Sequence, residues 1–94
     1  MKEIGNTIFI CSALNYGFYT YTGMRHHEIF LRLKKLSENG DDFLTRTRIQ
    51  HMRQGFIVEQ NHNIKFITRE EATEIAKNNN FPMIDSILTS EDLW

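Results

Sequence analysis

Ninety-four residues with 11 Lys and Arg against 12 Asp and Glu, a net charge of −1 and 40% hydrophobic residues describe one domain spanning residues 1–94. That balance argues against a general nucleic-acid binder, whose domains usually carry a marked basic excess, so no DNA or RNA duplex is expected as a partner, though a local basic cluster could still hold a small anion. Cys11 is the single cysteine, which excludes an internal disulfide, and no run approaches the ~18 apolar residues of a membrane span.

The start, Met1–Asn6, lacks the charged, apolar and small-residue segments of a signal peptide, so a cytosolic chain is expected. Residues 7–14 (TIFICSAL) are β-branched and aromatic enough for a strand. Asn15-Tyr16-Gly17 supplies a turn, and Phe18–Tyr21 returns as a second strand. Gly23 precedes a helix over about Arg25–Glu38, with Ile29, Leu33 and Leu36 at helical spacing; Asn39-Gly40 ends it. Asp41–Gln54 is polar and reads as a long surface loop with room for a short helical turn.

Gly55–Gln60 (GFIVEQ) is a third strand, Asn61-His62-Asn63 is turn chemistry, and Ile64–Thr68 pairs back as a fourth. Thr68-Arg69-Glu70-Glu71 fits a capping box, opening a second helix to about Asn78 that buries Ala72, Ile75 and Ala76. Asn78–Asn80 and Pro82 stop it. The halves match in pattern: one constant offset lays Thr22 on Thr68, Ile29 on Ile75 and Asn15 on Asn61. The fold expected is α+β, two β-hairpin–helix units (β-β-α-β-β-α) in one antiparallel or mixed sheet with both helices on one face.

The tail, Phe81–Trp94, has little room for a third helix yet carries Phe81, Met83, Ile84, Ile87, Leu88, Leu93 and Trp94. Side chains of this kind dock on their own sheet or on a neighbour. A chain this short buries only roughly 60–65% of its unfolded surface. A homo-oligomer with part of the tail at the subunit contact is therefore expected.

Several residues could carry chemistry. Gly23–Glu28 (GMRHHE) opens a helix whose free N–H groups and positive dipole end attract anions, and Arg25 adds a guanidinium fork; a merely solvated helix start is the plainer reading. Gln54-Gly55-Phe56 sets a stacking face beside a permissive glycine, with core packing of Phe56 as the alternative. Arg69 repeats the Arg25 pattern and Arg53 adjoins. Asp92, near Trp94, could accept from ribose hydroxyls or an exocyclic amine. Adjacent His26 and His27 point about 100° apart on a helix and lack a third histidine or a CxxC partner, so neither a metal nor a cofactor is expected.

Gly23–Ile29 (GMRHHEI), Gln54–Phe56 (QGF), Thr68–Ala76 (TREEATEIA) and Ser90–Trp94 (SEDLW) together resemble small tailed-phage proteins, the Thoeris anti-defence proteins of the first type. The resemblance implies a non-catalytic sponge in the cytoplasm of the infected bacterial host. Such a sponge binds cyclic ADP-ribose isomers, and in some members cyclic di- or trinucleotides, as a dimer or hexamer and releases them unaltered. It implies a pocket drawing on Arg25, Phe56 and Arg69, adjoined by Arg53 and Gln54, with Asp92 from the tail. The rival expectations are a phage accessory protein that binds a host protein through the tail, and a phosphodiesterase acting through His26 or His27.

Overall fold

The ten-residue strand β2 (Thr7–Tyr16) organises the molecule, whose computed structural model describes residues 1–94. Along one edge β2 pairs antiparallel with β4 (Arg53–Gln60). Along the other it pairs with β1 (Lys2–Ile4) at its start and β3 (Tyr19–Gly23) at its end. The fifth strand, β5 (Asn63–Thr68), extends the sheet beyond β4. The β4–β5 connection is the two residues Asn61 and His62, both at positive φ, the turn whose twist matches that of the flanking strands. All pairings are antiparallel, and the expected α+β fold is present.

A bulge in β2 decides which side chains face the core. The pairing with β4 shifts between Phe9 and Cys11, so Ile10 is an extra residue. The inserted residue resets the alternation. Phe9 before the bulge and Ser12 and Leu14 after it all point to the covered face and are fully buried. Ile10 and Cys11 are both left on the opposite face.

The helices α1 (His26–Glu38) and α3 (Arg69–Asn78) cover the same face of the sheet. Ala72 and Ala76 of α3 pack with Phe9, Phe56, Val58 and Ile67, while Ile29 and Leu33 of α1 pack around Leu14. The capping box at Thr68 is present: its hydroxyl accepts from the Glu71 N–H (3.2 Å) and the Glu71 carboxylate accepts from the Thr68 N–H (3.0 Å).

Three segments depart from the sequence reading. The N-terminal residues Lys2–Ile4 form a strand and bury Ile4. The 41–54 stretch is more than a surface loop: Asp41 Oδ1 accepts from the Phe43 and Leu44 N–H groups, and Thr45 caps the short helix α2 (Arg46–Gln50). Leu44, Ile49 and Met52 are thereby brought under α1 as core. The tail ends in a further turn of helix, α4 (Ser90–Leu93), and docks largely on its own domain. Leu88 and Leu93 are buried in the α3-side core and Phe81, Met83 and Trp94 pack against it, leaving Ile84 (77%) and Ile87 (41%) exposed.

Candidate functional site

The sequence-predicted residues separate into two groups. Arg53, Gln54 and Arg69 converge; Arg25, Phe56 and Asp92 have other work.

The converging set follows from register. Gly55 of β4 pairs with Thr68 of β5, and α3 begins at the next residue. The start of β4 and the start of α3 therefore meet at one end of the sheet. A cleft of about 280 Å³ opens there, lined by Met52, Arg53, Gln54, Thr68, Arg69 and Glu70. Arg69 donates to the Gln54 side-chain oxygen. Its Nε is buried and has no acceptor. Arg53 donates to Asn15 Oδ1 (3.0 Å) and lies 5.6 Å over the Phe66 ring.

Arg69 is oddly placed for stability. It is the first residue of α3, at the positive end of the helix, where a cation is unfavourable. A second cleft, of about 420 Å³, shares Arg69 and Glu70 with the first and runs on past Thr73, Lys77, Ser86 and Ile87. The Arg69 guanidinium thus borders both hollows. The largest cleft, about 540 Å³ between α1 and α2, includes Phe30, Lys34, Glu38, Arg46 and Gln50 and holds none of the sequence-predicted residues. Its charged groups are exposed side-chain ends, so it lacks the buried polar atom that marks the Arg69 cleft.

Arg25 instead fastens the tail. It caps α1 without a side-chain hydrogen bond, donates to the main-chain oxygen of Trp94 and lies 3.7 Å from the Glu91 carboxylate. Gly23, expected to open an anion site, is small because Ile29 packs on it: a Cβ there would sit 2.9 Å from Ile29 Cγ1. Phe56 is fully buried, edge-on to Phe9 (5.5 Å) and His26 (5.1 Å) and tilted against Trp94 (6.2 Å). No base can stack on it, which corrects the expectation. Asp92 accepts from the Ile84 N–H (3.0 Å) and from the Thr89 N–H (2.9 Å) and hydroxyl (3.1 Å). Burial would raise its carboxyl pKa, but these donors outweigh it and hold the pKa below the ordinary value. Its role is to fold the tail.

Two of the four histidines, His26 and His51, are similarly engaged, while His27 and His62 are exposed. His26 Nε2 lies 2.7 Å from the Gly55 carbonyl, which can only accept, so that nitrogen carries the proton. Burial depresses the His26 pKa, and the Arg69 charge adds to the effect, against the opposing bond to Gly55 and the Glu91 charge. His51 Nδ1 lies 2.8 Å from the Thr47 carbonyl. No three His, Cys, Asp or Glu side chains gather where they could hold a metal ion.

A one-sheet α+β domain of this size, with a basic notch where a strand and a helix both begin, is the class of protein these features define. A family model described as phage T4 y16D protein matches residues 8–94, from the second residue of β2 through the tail, and the chain belongs to that phage protein family. No curated protein and no solved structure matches it. No helix is long and apolar enough to cross a membrane.

Proposed function

We infer that the protein binds a small phosphate-bearing ligand at the Arg53–Gln54–Arg69 cleft and holds it without cleaving it. The observation that carries this is Arg69. Its guanidinium sits at the positive end of a helix with a buried Nε that lacks an acceptor, which costs stability unless an anion completes it. A phosphate against Arg69 would supply the acceptor that its Nε lacks and meet the free N–H groups of the first turn of α3.

The adjoining cleft gives the rest of the ligand a place. Lys77 can meet a second phosphate, and exposed Ile87 offers an apolar contact for a base. A cyclic nucleotide such as a cyclic ADP-ribose isomer has these parts, and the likeness to Thoeris anti-defence proteins points to the same class. The biological role is then sequestration of a cyclic nucleotide immune signal in the cytoplasm of the infected bacterium. Binding without turnover is supported by His26, one of the two candidate catalytic histidines, which is buried and tied to the Gly55 carbonyl. The test is to incubate the protein with cyclic ADP-ribose isomers and cyclic trinucleotides, filter, denature and analyse both fractions. Depletion followed by recovery of intact ligand is the expected result. A chemically altered product would make the protein an enzyme, and no depletion would refute the binding role.

A further inference from the structure

The uncovered face of the sheet is apolar, and that is unusual. An antiparallel sheet with one face in water normally alternates apolar inward and polar outward. Here both helices lie on one side, and the molecule is thin, 43 × 28 × 19 Å. The other side nonetheless carries Ile8, Ile10 and Cys11 from β2, Ile57 from β4, and Ile64 and Phe66 from β5. The register places these together: Ile8 lies across from Glu59, which lies across from Ile64, and Cys11 lies across from Ile57, which lies across from Phe66. The bulge contributes by turning Ile10 and Cys11 outward together. These side chains are part-exposed, and Ile64 is 67% exposed. Gly55 fits the same surface, because a Cβ there would collide with the Ile67 carbonyl oxygen and lie 2.7 Å from the Phe66 ring.

We propose that this face is where a second copy of the chain packs, sheet on sheet, about a twofold axis that runs in the interface across the strands. The charges select a copy of the same chain as the partner. One end of the face carries Glu3 and Glu59 in a single cross-strand row, and the other carries Arg53. Six residues along β4, or about 20 Å, separate Glu59 from Arg53. An axis crossing β4 midway lays the acidic end of each copy on the basic end of the other. Ile57 then lies near the axis and two Arg53–Glu59 pairs close the rim. Such an isologous contact is self-complementary by construction. Sheets packed this way lie about 10 Å apart.

The size is adequate. Three apolar strand positions at ~4.8 Å by about 20 Å give roughly 300 Å² in projection on each copy, and the polar rim and side-chain relief raise the area buried on the two copies together toward the ~1,000 Å² that a specific interface needs. This shifts the expected subunit contact from the tail to the sheet. It does not rest on the binding proposal, which Arg69 carries: Arg53 borders that cleft, but its guanidinium lies over Phe66 on the uncovered face.

Sedimentation velocity from about 1 to 100 µM tests it, with far-UV circular dichroism as the check on folding. The parent is expected to sediment as a dimer at the upper end of that range. Ile57→Lys should be monomeric throughout with an unchanged spectrum. Glu59→Arg alone should raise the dissociation constant at least tenfold, and Arg53→Glu combined with Glu59→Arg should restore most of it, an outcome that general loss of stability cannot produce. Because Cys11 is the single cysteine and lies near the axis, a short bis-maleimide should cross-link the parent to a dimer and leave Ile57→Lys uncoupled. A parent that stays monomeric at 100 µM would assign the face to another protein and overturn the proposal. So would a dimer that Ile57→Lys leaves intact.

Discussion

Replacing Phe56 by alanine separates a core residue from a stacking platform. Its ring is fully buried against Phe9 of β2, His26 of α1 and Trp94 at the end of the tail. Truncation of such a ring costs about 3–5 kcal/mol, with the upper end favoured where edge-on aromatic partners are lost as well. A domain of this length has a total stability of only roughly 5–14 kcal/mol, so the loss removes about a fifth of it or more. At about 4–8 °C per kcal/mol the melting temperature should fall by roughly 12–40 °C. Urea unfolding followed by circular dichroism, with calorimetry for the midpoint, gives both quantities. A Phe56→Ala variant within about 1 kcal/mol of the parent would refute the core assignment. If that variant also bound nucleotide more weakly while fully folded, the ring would be a ligand contact after all.

Three further outcomes follow from the site. His26 has a folded pKa below its ordinary 6.5, so charging it opposes folding: its stabilising effect is complete above that value and is lost as pH falls below it toward the folded pKa. Melting temperature should therefore drop between pH 7 and 5, and His26→Asn, which keeps a donor for the Gly55 carbonyl, should flatten the slope; an equal slope would contradict the burial account. Asp92→Ala removes the acceptor for Ile84 and Thr89 and should cost about 0.5–2 kcal/mol, with faster proteolysis of the tail and unchanged ligand affinity. Loss of ligand affinity in that variant with the tail still protected would return Asp92 to the binding site. Arg25→Ala should likewise loosen the tail before it affects binding, read as earlier cleavage near Trp94 in limited proteolysis; weakened binding with normal tail protection would reverse the assignment.

Much of the fold is legible in the sequence because its signals are local. The Thr68–Glu71 capping box, the Asn61-His62 turn and the apolar spacing of α1 each act within a few residues. The bulge in β2 is not legible, because an extra residue in one strand has meaning only against its partner β4. For the same reason the residues that leave the covered face, Ile10 and Cys11, look like ordinary strand core. The 41–54 stretch reads as loop since Leu44, Ile49 and Met52 are too sparse to make a period, yet Asp41 and Thr45 are the turn and cap residues that order it.

At the site, adjacency was informative and likeness of pattern was not. Arg53, Gln54 and Arg69 meet because the β4–β5 register places them together. Arg25 and Arg69 look equivalent as cations at helix starts, but Arg25 has Glu91 and the Trp94 main chain as partners and Arg69 has a buried nitrogen without one. Thr89-Ser90-Glu91-Asp92 has the spacing of Thr68–Glu71, and that local signal identifies Asp92 as a capping residue.

The most direct test of the binding role is calorimetric titration of cyclic ADP-ribose isomers and cyclic trinucleotides into the parent and into Arg69→Ala, with inorganic phosphate as the simplest anion. Arg69 is unfavourable where it stands, so the variant should keep or raise its melting temperature. Loss of a charge-assisted contact of about 1.5–3 kcal/mol should weaken binding roughly 10- to 150-fold. A folded Arg69→Ala protein that binds as tightly as the parent would place the ligand elsewhere, and a parent that takes up none of these compounds would contradict the account.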